Sequence, residues 1–177
     1  MRLILQSLPC IFLAIVCSLS AQTSDVGVTN DVGAESVGEL KVSVFYGTNG
    51  DVAQAGEGLT ALSAKQVEHL KKLKKIKFSH YKVVGEDSQQ LLRSYENWAK
   101  PLKQSKQILI SFQPSGEVVD RSVKLDLEFW QKDKKIMKNA PVLSIGKPLF
   151  ILGPEWRGGR LIIAVELMSL VGEASAE

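Results

Sequence analysis

Residues 122–131 read Ser-Val-Lys-Leu-Asp-Leu-Glu-Phe-Trp-Gln, and apolar and polar side chains alternate along this stretch. Four apolar side chains, from Val123 to Phe129, share one face, while the opposite face is polar or charged except at Trp130. A period of two is typical of a β-strand with one face in a core and the other in water. We therefore predict a strand over residues 122–131 in an antiparallel sheet.

Similar short runs recur along the chain and predict further strands at 40–46, 78–85, 90–98, 107–113, 135–137, 149–152 and 160–168. They follow one another without intervening helices after residue 78, which favours antiparallel pairing. The run 161–165 is apolar at every position, as expected of a central strand that is covered on both faces.

One helix is predicted, at about residues 62–77. Ser63 and Gln66 have the spacing of a capping box, and apolar residues follow at a spacing of three. The apolar stripe is narrow, so we expect this helix to lie across the surface of a sheet. The predicted fold class is α+β: a mainly antiparallel β-sheet or small sandwich with one early amphipathic helix.

The N-terminus has the pattern of an export signal. Arg2 precedes an uncharged stretch, Leu3–Ser24, whose centre is apolar and whose end contains small residues. We expect residues 1–21 to be a cleaved signal peptide and the protein to be periplasmic or secreted. An uncleaved membrane anchor and a lipid anchor at Cys17 are the alternatives. Cys10 and Cys17 both lie within this segment, so the mature chain would contain no disulfide and no thiolate metal site.

The remaining chain is predicted to form one domain between two acidic ends. Residues 22–39 contain four acids and no base, which indicates a flexible tail, and residues 171–177 are expected to be frayed. The single β-rich domain is predicted at 40–170, where 21 Lys and Arg stand against 13 Asp and Glu. The whole-chain charge of +3 therefore combines a basic domain with acidic ends.

A basic run follows the predicted helix, and its cations are Lys71, Lys72, Lys74, Lys75 and Lys77. The run could hold phosphate, anionic lipid or an acidic partner. The favoured interpretation is that lysines near a helix C-terminus complement its dipole and keep that face in water. We predict no nucleic-acid partner, because no aromatic residues interleave with the lysines. Membrane contact is expected only if the N-terminal segment is retained.

A second candidate surface is the glycine-rich turn at 153–160, Gly-Pro-Glu-Trp-Arg-Gly-Gly-Arg. Trp and Arg are enriched at binding hot spots, so the predicted binding residues are Trp156, Arg157 and Arg160, together with Trp130, which lies on the otherwise polar face of its strand and could extend this surface. The alternative is a hairpin whose glycines permit positive φ, with Trp156 folded back over the sheet edge. Trp98 could also extend the surface. Both Trp98 and Trp130 could instead lie in a core, and the sequence alone does not place them.

No catalytic, metal-binding or cofactor-binding site is predicted. His69 and His80 lack metal-ligand spacing, and no Gly-x-Ser-x-Gly or phosphate-binding glycine loop is present. Asp126 and Glu128 share a strand face but are more simply explained by cross-strand charge pairing. The leading hypothesis is an exported, non-catalytic protein-binding or envelope-assembly module with a protein partner in the envelope. An envelope hydrolase using Asp126, Glu128 or Glu155 and a self-associating structural protein are the alternatives.

Overall fold

The computed structural model describes residues 31–73, 76–102 and 107–172. Within these ranges the chain forms nine strands and one α-helix, with short 3-10 turns at Val32–Ala34 and Val52–Ala55. The elements are β1 (Ser36–Thr48), α1 (Ala64–Lys71), β2 (His80–Leu92), β3 (Asn97–Ala99), β4 (Ile108–Pro114), β5 (Ser122–Gln131), β6 (Lys134–Asn139), β7 (Val142–Ser144), β8 (Leu149–Trp156) and β9 (Gly159–Leu170).

The strands form two sheets that pack face to face. The first sheet has the order β2-β1-β9-β8, and the second has the order β3-β4-β5-β6, with β7 also paired to β5. Every strand pair is antiparallel. The main core lies between the sheets and includes Val42 and Val165 from the first and Ile110 and Leu127 from the second. The predicted α+β class, a small antiparallel sandwich with one early helix, is confirmed.

Strand β5 has the bounds that the alternation predicts, 122–131. Its four apolar side chains from Val123 to Phe129 face the core and are at most 2% exposed. Burying four side chains of this size contributes about 1.5–3 kcal/mol each to folding. The residues between them are half-buried or exposed, as expected of a strand with one wet face.

Strand β9 is covered on both faces, as predicted. Its odd-numbered residues from 161 to 167 face the main core, whereas Ile162 and Ala164 belong to a second apolar cluster with Phe45 and Leu70. Leu70 lies on α1 and is 1% exposed, so this helix packs across the outer face of the first sheet. The second cluster gives the short helix its tertiary anchor.

Helix α1 begins as predicted but is shorter. The Ser63 hydroxyl accepts the Gln66 N–H at 3.3 Å, and the Gln66 side chain accepts the Ser63 N–H at 2.8 Å, which completes the capping box. The helix ends at Lys71, not near residue 77. Like charges at a spacing of three and four oppose further helical turns. Leu73 and Ile76 still pack against the second cluster after the helix has ended.

Strand boundaries also differ from the sequence prediction in the first sheet, where β8 continues to Trp156 instead of ending at Leu152. Strand β1 begins at Ser36, so residues 36–39, which were assigned to the tail, belong to the first sheet. Strand β2 is continuous from His80 to Leu92, where two strands were predicted. Gly85 packs closely against the carbonyl oxygen of Pro101, and a bulge after Val83 keeps the strand paired with β1. The short strand β7 was not predicted. The predicted signal peptide, the first half of the predicted tail (residues 22–30), Lys74, Lys75 and residues 173–177 lie outside the described residues.

Candidate functional site

The β8–β9 hairpin turns through two residues, Arg157 and Gly158. Trp156 pairs with Gly159 directly below the turn. Both turn residues have positive φ, 46° for Arg157 and 72° for Gly158, which is the pattern of a type I′ turn. This turn matches the right-handed twist of the strands, but arginine is unusual at its first position because a side chain is strained at positive φ. Further contacts must therefore hold Arg157 in place.

Aromatic and cationic groups stack around this turn. The ring of Trp156 meets Tyr46 edge to face, with centroids 5.6 Å apart, and the guanidinium carbon of Arg157 lies 4.5 Å from the centroid of the Trp156 ring. The Tyr46 hydroxyl donates to the Arg157 carbonyl at 2.9 Å. Tyr46 is fully buried and Trp156 half-buried against the main core. Trp156 is thus folded back onto the sheet, while Arg157 is exposed.

The loop after β1 holds the guanidinium of Arg157 from the other side. Nη1 of Arg157 donates to the carbonyl of Ala55 at 2.5 Å. A side chain at Gly56 would meet that nitrogen at 2.5 Å, so the glycine leaves room for the guanidinium. Arg157 is thereby fixed by three groups: the ring of Trp156, the carbonyl of Ala55 and, through its own backbone, the hydroxyl of Tyr46.

Arg160 is the second guanidinium at this end of the sheet. Its Nε donates to the carbonyl of Gly153 at 3.0 Å. It stands opposite Glu155 in the β8–β9 register, yet within the described part of the chain neither Arg160 nor Arg157 forms a salt bridge with a carboxylate. An arginine has five N–H donors, so both guanidinium groups retain donors for a ligand.

These residues line an open cleft of about 630 Å³ at the end of the first sheet. One wall is the hairpin with its two arginines and Glu155; the other is the start of the loop after β1, together with Phe78. The structure therefore brings together three of the four residues that the sequence singled out for binding. Asn49 and Phe78 were not predicted and complete the cleft.

Trp130 lies on a different surface. It is on the outer face of the second sheet, where its ring centroid is 5.8 Å from that of Trp98. Lys135 Nζ stands 5.1 Å from the Trp130 ring, and the indole N–H donates to Glu128 at 3.0 Å. The sequence expectation that Trp130 extends the surface around Trp156 has no support in this arrangement, because Trp156 packs on the first sheet.

The carboxylates considered for hydrolysis lie on two different sheets. Glu128 accepts hydrogen bonds from Lys135 at 2.7 Å and from Trp130, and Lys138 lies 3.4 Å away. The hydrogen bond from Lys135 lowers the pKa of Glu128, so this carboxyl is ionised at neutral pH and is unsuited to act as a general acid. Asp126 shares its face and Glu155 lies on the first sheet, at the cleft.

Among the described lysines of the basic run, one is paired with an acid and the others are exposed. Lys71 ends α1, Lys72 pairs with Glu68 at 2.7 Å one helical turn away, and Lys77 is exposed beyond the helix. The hydrogen bond and charge of Lys72 lower the pKa of Glu68. This pairing agrees with the interpretation of the run as a solvated helix end.

A polar cluster beneath α1 was missed by the sequence analysis. Glu86 accepts hydrogen bonds from Ser43 at 2.9 Å and Gln66 at 2.7 Å, and Lys41 Nζ lies 2.9 Å from it. Burial raises the pKa of Glu86, but the bonds from Lys41, Ser43 and Gln66 outweigh it, so the net pKa is lowered. Glu86 lies on β2 and its partners come from β1 and α1, and no spacing in the sequence links them. The cluster ties the helix to the sheet.

The two histidines lie in different surroundings. His69 is half-buried beside a small cavity of about 140 Å³ under α1, and His80 is exposed at the start of β2. Among the residues that the structure describes, no group of three His, Cys, Asp or Glu side chains converges on one point.

No protein-family model, curated protein or solved structure matches this chain. In the described ranges, no helix has both the length and the apolar character needed to cross a bilayer.

Proposed function

We propose that the protein is an exported, non-catalytic binding module that captures an acidic segment of a partner protein at the cleft beside the β8–β9 hairpin. The observation that carries this proposal is the fixed position of Arg157. Its guanidinium is stacked on Trp156, bonded to the carbonyl of Ala55 and exposed on its remaining side. A side chain that is already held loses little conformational freedom when a partner binds.

The charge of the cleft supports an acidic partner. Arg157 and Arg160 both present guanidinium donors there, and a carboxylate can accept two of them in parallel. Among the described residues that line the cleft, Glu155 is the only carboxylate. The net charge of +8 over residues 40–170 would also speed the approach of an acidic protein.

The cleft favours a protein segment over a small substrate. It is open and shallow, with a wall of loop residues and a Trp–Arg pair, which are features of a protein interface hot spot. The proposal that the protein is exported rests on the N-terminal sequence alone. For an exported protein, the partner would lie in the periplasm or outside the cell.

The test is affinity capture of partners from the producing cell's envelope, followed by mass spectrometry, with Arg157→Asn as the variant. Asn-Gly is the preferred pair for a type I′ turn, so this variant keeps the hairpin while removing the guanidinium. We expect a specific protein to be captured by the unchanged chain and to be lost with Arg157→Asn.

Lys132→Asn is the matched control. Lys132 is also an exposed cation at positive φ, 55°, in the turn between β5 and β6. The same substitution there removes the same charge from the other sheet. Equal loss of the partner in both variants would show that general charge is responsible, and equal retention would refute a role for the cleft.

A further inference from the structure

The outer edge of β8 differs from the other long edges of the sandwich. At β6, the edge of the second sheet, three of six residues are lysines, which discourage pairing with another strand. The outer edge of β2 is partly covered, because Thr60 exchanges both backbone hydrogen bonds with Val83. Strand β8 pairs with β9 on one side only, and its residues 149–152, Leu-Phe-Ile-Leu, carry no charge.

The unpaired edge is short and has defined ends. Pro148 precedes β8 and Pro154 lies within it, and neither has an N–H to offer a neighbouring strand. Between them, no other described segment forms a backbone hydrogen bond with Leu149–Leu152 on the side away from β9. Leu152 is 44% exposed. Prolines at both ends limit any added ladder to four or five residues, which suits a short segment better than stacking of whole sheets.

Cations stand at both ends of this edge. Lys147 is exposed before the strand, and at the far end Arg160, whose Nε donates to the carbonyl of Gly153 on β8, stands opposite one carboxylate, Glu155. A second copy of the chain would bring the same cations to this edge, and like charges would oppose its binding. A segment with an acidic residue on each side of a short apolar stretch is complementary to both ends.

We propose that the partner segment binds as an added antiparallel strand on the outer edge of β8, with acidic residues reaching Lys147 at one end and Arg160 at the other. Backbone hydrogen bonds then supply affinity, and the flanking charges set position and direction. This inference rests on the proposed function and adds to it the bound conformation and the chemical pattern of the partner.

The experiment uses the full chain and a fluorescein-labelled peptide, Glu-Asp-Val-Thr-Val-Thr-Asp-Glu, measured by fluorescence anisotropy. Two further peptides carry N-methyl groups, one on both valines and the other on both threonines. In a strand, alternate N–H groups point to opposite sides, so each methylated peptide blocks only one of its edges. We expect one methylated peptide to bind about tenfold more weakly or worse, and the other to bind like the parent.

A second readout is amide exchange at Leu149–Leu152, which should slow in alternate residues when the parent peptide is bound. If the three peptides bind with equal affinity and Arg157→Asn abolishes their binding, strand addition is overturned, whereas the arginine cleft is kept as the binding site. Absence of binding by all three peptides would also overturn strand addition, and the capture experiment with Arg157→Asn would still decide the proposed function separately.

Discussion

Replacing Gly159 by alanine should destabilise the hairpin that positions Arg157. An added Cβ would lie 2.5 Å from the carbonyl oxygen of Gly47 and 2.6 Å from Cζ of Tyr46. Neither group can yield easily, because one is strand backbone and the other is a fully buried ring. Overpacking of this kind costs about 1–3 kcal/mol, and two rigid neighbours place this site near the upper end.

An opposing effect is smaller. Gly159 has a φ outside the left-handed region, so alanine would restrict the unfolded chain and stabilise the fold by about 0.4–1 kcal/mol. The net loss expected for Gly159→Ala is therefore about 2 kcal/mol, or ~6 °C in Tm for a domain of this size. Urea denaturation followed by tryptophan fluorescence measures it.

Gly116→Ala is the matched control. Gly116 has no neighbour within 4 Å of an added Cβ, and its φ is also outside the left-handed region. Only the unfolded-state effect remains, so the control should be unchanged or slightly more stable. A free energy of unfolding for Gly159→Ala within about 0.5 kcal/mol of the control would refute the packing described around Tyr46.

Three further predictions concern stability. Ser63→Ala removes the capping box and should cost about 1 kcal/mol in urea denaturation, whereas a loss near zero would show that α1 is held by packing alone. Tyr46→Phe leaves the turn carbonyl without its donor and should also cost about 1 kcal/mol; an unchanged midpoint would contradict that bond. Glu86→Gln should cost about 1 kcal/mol at pH 7, since Glu86 is one-third exposed and partly screened. Its lowered pKa means that this contribution is complete above the ordinary value of 4.5 and is lost as the pH falls through the folded-state pKa, so the variant and the unchanged chain should converge in acid.

The fold could be predicted where the pattern along one strand is sufficient. The alternation in residues 122–131 gave β5 its bounds, and the apolar run 161–165 identified a strand covered on both faces. The prediction failed where contacts with distant residues decide the structure. Gly85 and the acids after it resemble a turn, but Glu86 and Asp87 find partners in Lys41 and in the backbone N–H of Lys100, so β2 continues.

The candidate site could be predicted only in part. Glycines beside a Trp and two arginines marked the hairpin, because these residue types have specific turn and binding properties. The anchoring of Arg157 could not be predicted, since Ala55 and Tyr46 are about a hundred residues away in sequence. For the same reason, no sequence pattern indicated that Trp130 contacts Trp98 on the outer face of the second sheet.

Site-specific photo-crosslinking tests the central claim most directly. A photoreactive phenylalanine derivative would replace Glu155, which is exposed at the cleft, and in a separate variant Asp126, which is exposed on the outer face of the second sheet. In the producing cell, we expect the partner captured by the unchanged chain to crosslink at position 155 and not at position 126. A crosslink to that partner at position 126 alone would contradict the assignment of the hairpin cleft as the binding site.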